Sequence, residues 1–160
     1  MPGSADLAAL LPSGFVESGR TLLLYDGVCG LCNHLVQFLM RRDRRDRLRF
    51  AALQSPLGRS LVQAAGGDPD VLDTLYVIVG GPHGPRARVR SRAVLSAVAA
   101  LGGIYRPMSW LRIVPAFVLD PLYRLVARIR YRVFGRHDTC VLPTPEERAR
   151  FLDVPDNPAT

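Results

Sequence analysis

The fold is decided by the stretch that leads into the first predicted helix, Thr21-Leu22-Leu23-Leu24-Tyr25-Asp26-Gly27-Val28-Cys29-Gly30-Leu31-Cys32. Residues 21–25 form a short apolar run, which is typical of a strand buried on both faces. Asp26 and Gly27 end that run. Apolar residues then recur at helical spacing from Cys32 to Met40, which predicts a helix with one buried face. The two cysteines therefore lie where a strand gives way to a helix.

The same alternation continues beyond this stretch. Further strands are predicted at residues 48–53, 74–79 and 86–90. Ser55-Pro56 is a cap-plus-proline signature that starts a second helix, and Ser91 is expected to cap a third. We expect the helices to cross over between parallel strands and the last two strands to form a hairpin. This order predicts an α/β protein with the thioredoxin-like βαβαββα three-layer core.

A chain of 160 residues fits one domain with a sizeable core. We predict an irregular leader at residues 1–20, the thioredoxin-like core at residues 21–103 and a C-terminal helical extension at residues 104–160, packed on the same domain. Within the extension we expect Trp110 to be packed and Asp120-Pro121 to start a helix. Its predicted buried stripe comprises Leu122, Leu125, Val126, Ile129 and Val133.

The charge balance is basic, with 21 basic and 14 acidic residues and a net charge of +7. The arginines crowd into residues 41–49 and recur at Arg124, Arg128 and Arg132. RNA, anionic lipid, an acidic partner protein or the acidic residues of the C-terminal tail could pair them. That tail holds Glu146, Glu147, Asp153 and Asp156. We favour internal pairing and ordinary solvation of the arginines. Nucleic-acid binding is not expected because no aromatic-rich RNA signature accompanies the arginines.

No apolar run is long enough for a membrane span, although peripheral membrane contact stays open. The start of the chain does not resemble a signal peptide, which predicts a cytoplasmic protein. In that compartment, paired cysteines are more often catalytic or metal-binding than structural.

Cys29 and Cys32 form a C-x-x-C pair at the predicted start of the helix. Unpaired backbone N–H groups and the positive end of the helix dipole favour thiolate over thiol there. Cys32 lies on the apolar face and is expected to point inward, whereas Cys29 precedes the helix and is expected to be exposed. We therefore predict that Cys29 is the attacking thiolate and Cys32 the resolving thiol of an enzyme that exchanges disulfides.

Asp26 is a candidate catalytic residue with two open interpretations. If buried, it could exchange a proton with Cys32. Alternatively, its carboxylate accepts backbone N–H bonds from Val28 or Cys29 and shapes the loop.

The sequence also resembles the DCC family of thiol–disulfide oxidoreductases, whose signature Asp-x-x-Cys-x-x-Cys is matched by Asp26, Cys29 and Cys32. The similarity covers roughly residues 21–152. Its further segments are Phe50-Ala51-Ala52-Leu53-Gln54-Ser55, Asp73-Thr74, Ser91-Arg92-Ala93 and Arg130-Tyr131-Arg132-Val133-Phe134-Gly135-Arg136. The resemblance implies a thioredoxin-like fold and disulfide exchange. Ordinary thioredoxins carry a proline just before the third strand. Residues 71–74 contain none, so the sequence gives no support for the usual backbone docking of substrates.

Two other functions compete for the same residues. His137 and Cys140 could join Cys29 and Cys32 as four tetrahedral zinc ligands of a structural protein. The arginines could instead define a module that binds anions or a partner. For the favoured exchange function we expect no cofactor and no metal. The expected partners are a protein or small-molecule disulfide or thiol and an electron donor that the sequence does not identify.

Overall fold

The computed structural model describes residues 4–72, 74–81, 83–136, 144–145 and 147–153. It is a mixed α/β fold of five α-helices and a four-stranded sheet within those residues. The elements in chain order are α1 (Ser4–Leu10), β1 (Thr21–Tyr25), α2 (Gly30–Arg42), β2 (Leu48–Ala52), α3 (Pro56–Ala64), β3 (Tyr76–Val79), β4 (Arg86–Val89), α4 (Arg90–Leu101), a 3₁₀ segment (Gly103–Ile113), α5 (Ala116–Phe134) and a short 3₁₀ turn (Arg148–Arg150).

The sheet has the strand order β2-β1-β3-β4. β1 runs parallel to β2, with Leu23 opposite Phe50, and antiparallel to β3, with Leu23 opposite Val77. The hairpin of β3 and β4 is confirmed. Only the first helical crossover joins parallel strands, because β3 runs against β1. The expectation that both predicted crossovers connect parallel strands was therefore wrong for the second.

Both faces of the sheet are covered. Leu23 and Tyr25 face a core built with α2 and α4, and that core includes both cysteines. Leu22 and Leu24 face a second core with α1 and α3. This alternation follows from the two-residue period of a strand, and it explains why residues 21–25 are apolar throughout.

Residues 4–10 form a helix where an irregular leader was predicted. Leu7, Leu11 and Phe15 are buried on the α3 side of the sheet. The prolines and glycines around this short helix suggested loop structure, whereas its packing against the sheet determines its conformation. At the other end of the chain, Leu152 donates its backbone N–H to the Phe50 carbonyl over 2.9 Å. Residues 151–153 thereby cover the outer edge of β2.

The predicted caps had mixed outcomes. Ser55 caps α3 as expected, since its hydroxyl accepts the Gly58 N–H over 3.0 Å. Ser91 and Asp120 do not cap helices. Instead, the Ser91 hydroxyl donates to the Asp120 carboxylate over 2.5 Å, which ties α4 to α5. α5 begins at Ala116 and runs through Pro121, so the predicted helix start at Asp120 was wrong.

The buried stripe predicted for the last long helix was also wrong. Leu122, Leu125, Val126, Ile129 and Val133 are all exposed, and so is Trp110. α5 packs against the core through Tyr123, Tyr131 and the buried Arg130. In the part of the chain that the structure describes, no helix combines the length and apolarity needed to cross a membrane.

Candidate functional site

The cysteine pair lies at the junction of β1 and α2, as the sequence predicts. Cys29 is the N-cap residue of α2, and its carbonyl accepts the Asn33 N–H over 3.0 Å. Both cysteines are free thiols. Their side chains are hydrogen-bonded, and the two residues approach each other to 3.3 Å. The pair is therefore placed to form a disulfide by a small movement.

Cys32 points inward as predicted, with 6% of its surface exposed. The prediction that Cys29 is exposed was wrong, because its exposure is 0%. The chain after α5 folds back over it: Cys29 and Arg136 form an antiparallel bridge, and Gly30 donates its N–H to the Gly135 carbonyl over 3.3 Å. We call residues 134–136 the cap segment. Sequence spacing could not reveal this contact, because the two segments are more than a hundred positions apart.

Gly30 allows the close approach of the cap segment. A Cβ atom at this position would lie 2.2 Å from the Phe134 carbonyl oxygen, far inside van der Waals contact. The residue after the first cysteine therefore has a structural role as part of the surface on which the cap segment rests.

Asp26 is almost completely buried beneath the cysteines. Its Oδ1 accepts the Val28 N–H over 3.1 Å and the Gln54 side-chain amide over 2.7 Å. The other oxygen, Oδ2, accepts the Tyr131 hydroxyl and the Arg130 guanidinium, whose Nη2 is 3.2 Å away. The loop-shaping bond from Val28 is thus present, and so is the burial that the alternative interpretation requires.

Arg130 connects this carboxylate to the cysteines. It is buried, and its Nη1 lies 3.5 Å from Cys32 Sγ while Nη2 bonds to Asp26. Burial acts to lower the pKa of Arg130, but the neighbouring Cys32, Tyr131, Cys29 and Asp26 raise it, so the guanidinium stays charged. A charged arginine beside Cys32 stabilises the thiolate form of Cys32 relative to the thiol.

Sequence reasoning missed the roles of Arg130 and Tyr131. Both fall in the segment that resembles the DCC family, and Arg130 follows Tyr123 and Ala127 at helical spacing. This spacing is typical of a buried helix face. An arginine at one of the three positions argues against burial, so the pattern was not interpreted as one.

The backbone before β3 is also contacted by α5. The Leu75 N–H donates to the Tyr123 hydroxyl over 2.8 Å, and the Leu72 carbonyl accepts from Arg130 Nη2 over 2.7 Å. These groups precede the third strand, where ordinary thioredoxins carry the proline. In this protein the two backbone groups are hydrogen-bonded to side chains of α5. This agrees with the sequence, which gives no support for the usual docking of substrates by backbone pairing.

An apolar cavity of about 330 Å³ opens beside Cys32. Its walls come from α2, α4 and α5, and they include Leu35, Val94, Leu122 and Val126. Cys32 and Arg130 lie in the wall, so the inner thiol borders the cavity.

Burial strongly affects the pKa values of the Cys32 thiol and the Tyr131 hydroxyl, which both lie beside Arg130. It raises the pKa of Cys32 from 9.0 to about 12, with a further contribution from Cys29. It likewise raises the pKa of Tyr131 from 10.0 to about 12, aided by the hydrogen bond to Asp26. Both groups therefore stay protonated in the folded protein at neutral pH.

These shifts predict a loss of stability at alkaline pH. A group that holds its proton to a higher pH in the folded state stabilises the fold below its unfolded pKa, and this contribution disappears as the pH rises through the folded value. The free energy of unfolding should therefore fall between pH 9 and 12, measured by urea denaturation. In the Cys32→Ser/Tyr131→Phe variant, the free energy of unfolding should fall less over this pH range. The Tyr105→Phe variant loses a phenol outside this network and should show the same fall as the native protein. Equal declines in all three proteins would contradict the assignment.

The zinc alternative needs residues that are not described. His137 and Cys140 lie outside the described residues, as do Glu146 and Asp156 of the acidic tail. Among the described residues, no group of three potential ligands is placed to hold a metal ion. Of the tail residues that are described, Asp153 accepts the Ala52 backbone N–H and Glu147 accepts that of Thr144. Neither forms an ion pair with the arginine clusters within that part of the chain.

Comparison with known proteins agrees with this site. The family model described as DCC1-like thiol-disulfide oxidoreductase matches residues 23–136, a range that runs from β1 to the cap segment. The chain is 37% identical over 131 residues to the uncharacterized protein YuxK of Bacillus subtilis, covering 82% of this chain and 93% of that protein. It is 36% identical over 140 residues to a chloroplastic DCC family protein of Arabidopsis thaliana, covering 87% and 79%. No solved structure matches the chain. The chain belongs to the DCC1-like thiol-disulfide oxidoreductase family.

Proposed function

We propose that this protein catalyses thiol–disulfide exchange, with Cys29 as the attacking thiolate and Cys32 as the resolving thiol. The observation that carries the proposal is the contact between two free thiols at the start of α2. Cys29 is the N-cap residue of α2, whereas Cys32 lies within the helix. Cys32 has its pKa raised to about 12 by burial, so it remains a thiol until the first step is complete.

The exchange proceeds in two balanced steps. The Cys29 thiolate attacks one sulfur of a substrate disulfide, forms a mixed disulfide and releases the other sulfur as a thiolate. Cys32 then loses its proton and attacks Cys29 Sγ, which releases the second substrate sulfur. The protein is left with a Cys29–Cys32 disulfide, and the substrate has gained two electrons. The proton that Cys32 loses and one proton from solvent convert the two released substrate thiolates into thiols. The reverse sequence oxidises a dithiol substrate.

Arg130 and Asp26 support the second step. The guanidinium that lies 3.5 Å from Cys32 Sγ stabilises the thiolate that must form there. Asp26 holds this guanidinium through its Oδ2 atom, so we assign Asp26 a positioning role. Its negative charge alone opposes thiolate formation, and the bonded arginine offsets that effect.

The cap segment adds a condition to the first step. Because Cys29 is fully buried, residues 134–136 must move before a disulfide can reach it. Such local opening is common in segments held by few contacts. The proposed cycle therefore begins with displacement of the cap segment.

The proposal is tested by trapping a mixed disulfide. The Cys32→Ser variant, incubated with a peptide that contains a disulfide, should accumulate the peptide on Cys29, because no resolving thiol remains. Mass spectrometry of proteolytic fragments identifies the modified cysteine. The Cys29→Ser/Cys32→Ser variant retains Cys140 and is the matched control, which should accumulate nothing at residues 29–32.

Two results would count against the exchange mechanism. One is the absence of an adduct on Cys29 in the Cys32→Ser variant after prolonged incubation. The other is faster adduct formation on Cys32 in the Cys29→Ser variant, which would reverse the assigned roles. Metal analysis of protein purified without chelator separates exchange from the zinc alternative, in which Cys29, Cys32, His137 and Cys140 bind one ion per chain.

A further inference from the structure

The solvent side of α5 carries two parallel rows of residues. The first is an apolar row of five side chains with 40% to 64% of their surface exposed: Val118, Leu122, Leu125, Ile129 and Val133. Their spacing of three or four residues places them along one side of the helix. Contiguous exposed apolar surface of this kind marks an interaction site more often than scattered single residues do.

The second row is basic. Arg124, Arg128 and Arg132 follow one another at intervals of four and are exposed. At 3.6 residues per turn this row lies about 100° around the helix from the apolar row. Like charges at this spacing repel one another unless they are paired. Within the described part of the chain, none of the three forms an ion pair.

We propose that α5 lies flat on an anionic lipid surface, with the apolar row at the acyl boundary and the arginine row among the phosphate headgroups. This inference is independent of the exchange chemistry. An interfacial helix needs an apolar face beside a basic face and does not need to span the bilayer. α5 has both faces over 19 residues, which is a length of roughly 28 Å.

Charge favours lipid over a second copy of the chain. Each copy carries a net charge of +7, so pairing two α5 helices would bring like charges together. An anionic bilayer accommodates both rows at once, because its phosphates pair with guanidinium groups and its outer acyl region takes up the apolar side chains. The chain that leads into α5 adds the exposed apolar residues Trp110 and Ile113, and the first turn of α5 adds Phe117. Tryptophan is enriched at membrane interfaces.

The proposed docking also determines what lies next to the cavity beside Cys32. Leu122 belongs both to the apolar row and to the wall of the cavity beside Cys32, and the exposed Val126 lies in the same wall. The apolar row is thus continuous with the cavity. Docking through this row would place the cavity opening next to the lipid.

The test is sedimentation of the full chain with vesicles of phosphatidylcholine, with and without phosphatidylglycerol, at physiological salt. We expect binding only to the vesicles that contain phosphatidylglycerol. The Arg124→Gln/Arg128→Gln/Arg132→Gln variant should bind roughly 10- to 100-fold more weakly. The matched control, Arg41→Gln/Arg44→Gln/Arg47→Gln, removes the same charge from exposed positions elsewhere and should retain most of the binding.

The apolar row is tested by Leu125→Gln/Ile129→Gln, which leaves the charge unchanged and should also weaken binding. Both positions are exposed, so the fold is expected to tolerate the change. Equal losses in the two arginine variants would show nonspecific charge attraction and overturn the proposal. Undiminished binding of Leu125→Gln/Ile129→Gln would do the same. A dimer in light scattering that this variant dissociates, without vesicle binding by the native chain, would assign the surface to self-association instead.

Discussion

Replacing Arg130 with methionine should lower the free energy of unfolding by about 3–5 kcal/mol, because it leaves the Asp26 carboxylate buried without its cation. The two side chains are buried and lie 3.2 Å apart, and the other partners of the Asp26 carboxylate among the described residues are uncharged. Chemical denaturation monitored by circular dichroism measures the effect. The same variant should also react more slowly in the resolving step, because the guanidinium beside Cys32 is gone.

The matched control is Arg128→Met on the same helix. Arg128 is exposed, so its replacement should change the stability by no more than about 0.5 kcal/mol. Combining Asp26→Asn with Arg130→Met should recover part of the loss, since no charge then remains unpaired. If Arg130→Met were as stable as Arg128→Met, or if the double variant showed simple additivity, the buried ion pair would not organise the site as described.

Gly30→Ala should detach the cap segment and make Cys29 reactive. The added methyl group would lie 2.2 Å from the Phe134 carbonyl oxygen, which belongs to the backbone and cannot rotate away. Overpacking of this kind typically costs about 1–3 kcal/mol of stability. Because the cap segment covers Cys29, its displacement should raise the alkylation rate of Cys29 by roughly tenfold or more, as expected when a closed local state is destabilised by more than about 1.4 kcal/mol.

Gly81→Ala serves as the control for the glycine replacement. A Cβ atom at this turn position would have its nearest neighbour at 3.6 Å, so the change is tolerated sterically. Alkylation of Cys29, followed by peptide mass spectrometry, should proceed at the native rate in this variant. A native rate in Gly30→Ala as well would show that the cap segment does not limit access to Cys29.

Local sequence patterns were sufficient for the core of the fold. The apolar run at residues 21–25, the cap-plus-proline pair Ser55-Pro56 and the alternating strand at residues 86–90 each reflect a local physical constraint. They determine strand and helix order before any long-range contact is known. The position of Cys29 and Cys32 at a strand–helix junction follows from the same patterns.

The helical extension could not be predicted in the same way. The apolar residues of α5 recur at helical spacing as far as Val133. From this spacing we predicted that they face the core. In the structure the helix is rotated so that Tyr123 and Arg130 face inward. Arginine is rarely buried without a partner, and its partner Asp26 lies 104 positions earlier in the chain. Only the tertiary structure brings these two residues together.

The burial of Cys29 has the same origin. A residue at the N-terminus of a helix is usually accessible, and nothing near Cys29 in sequence covers it. The covering atoms belong to the cap segment, whose position depends on how α5 packs. Thus the sequence identified the C-x-x-C pair, while the structure added the arginine that lies beside Cys32 and the segment that covers Cys29.

The central claim, that Cys29 and Cys32 form a reversible redox pair, is tested most directly by equilibrating the full chain in glutathione buffers of graded potential. After acid quenching, peptide mass spectrometry quantifies the disulfide between residues 29 and 32. We expect one two-electron transition between the dithiol and the Cys29–Cys32 disulfide, reached from both the oxidised and the reduced protein. A chain that keeps both thiols throughout, or forms only glutathione adducts at these positions, would contradict it.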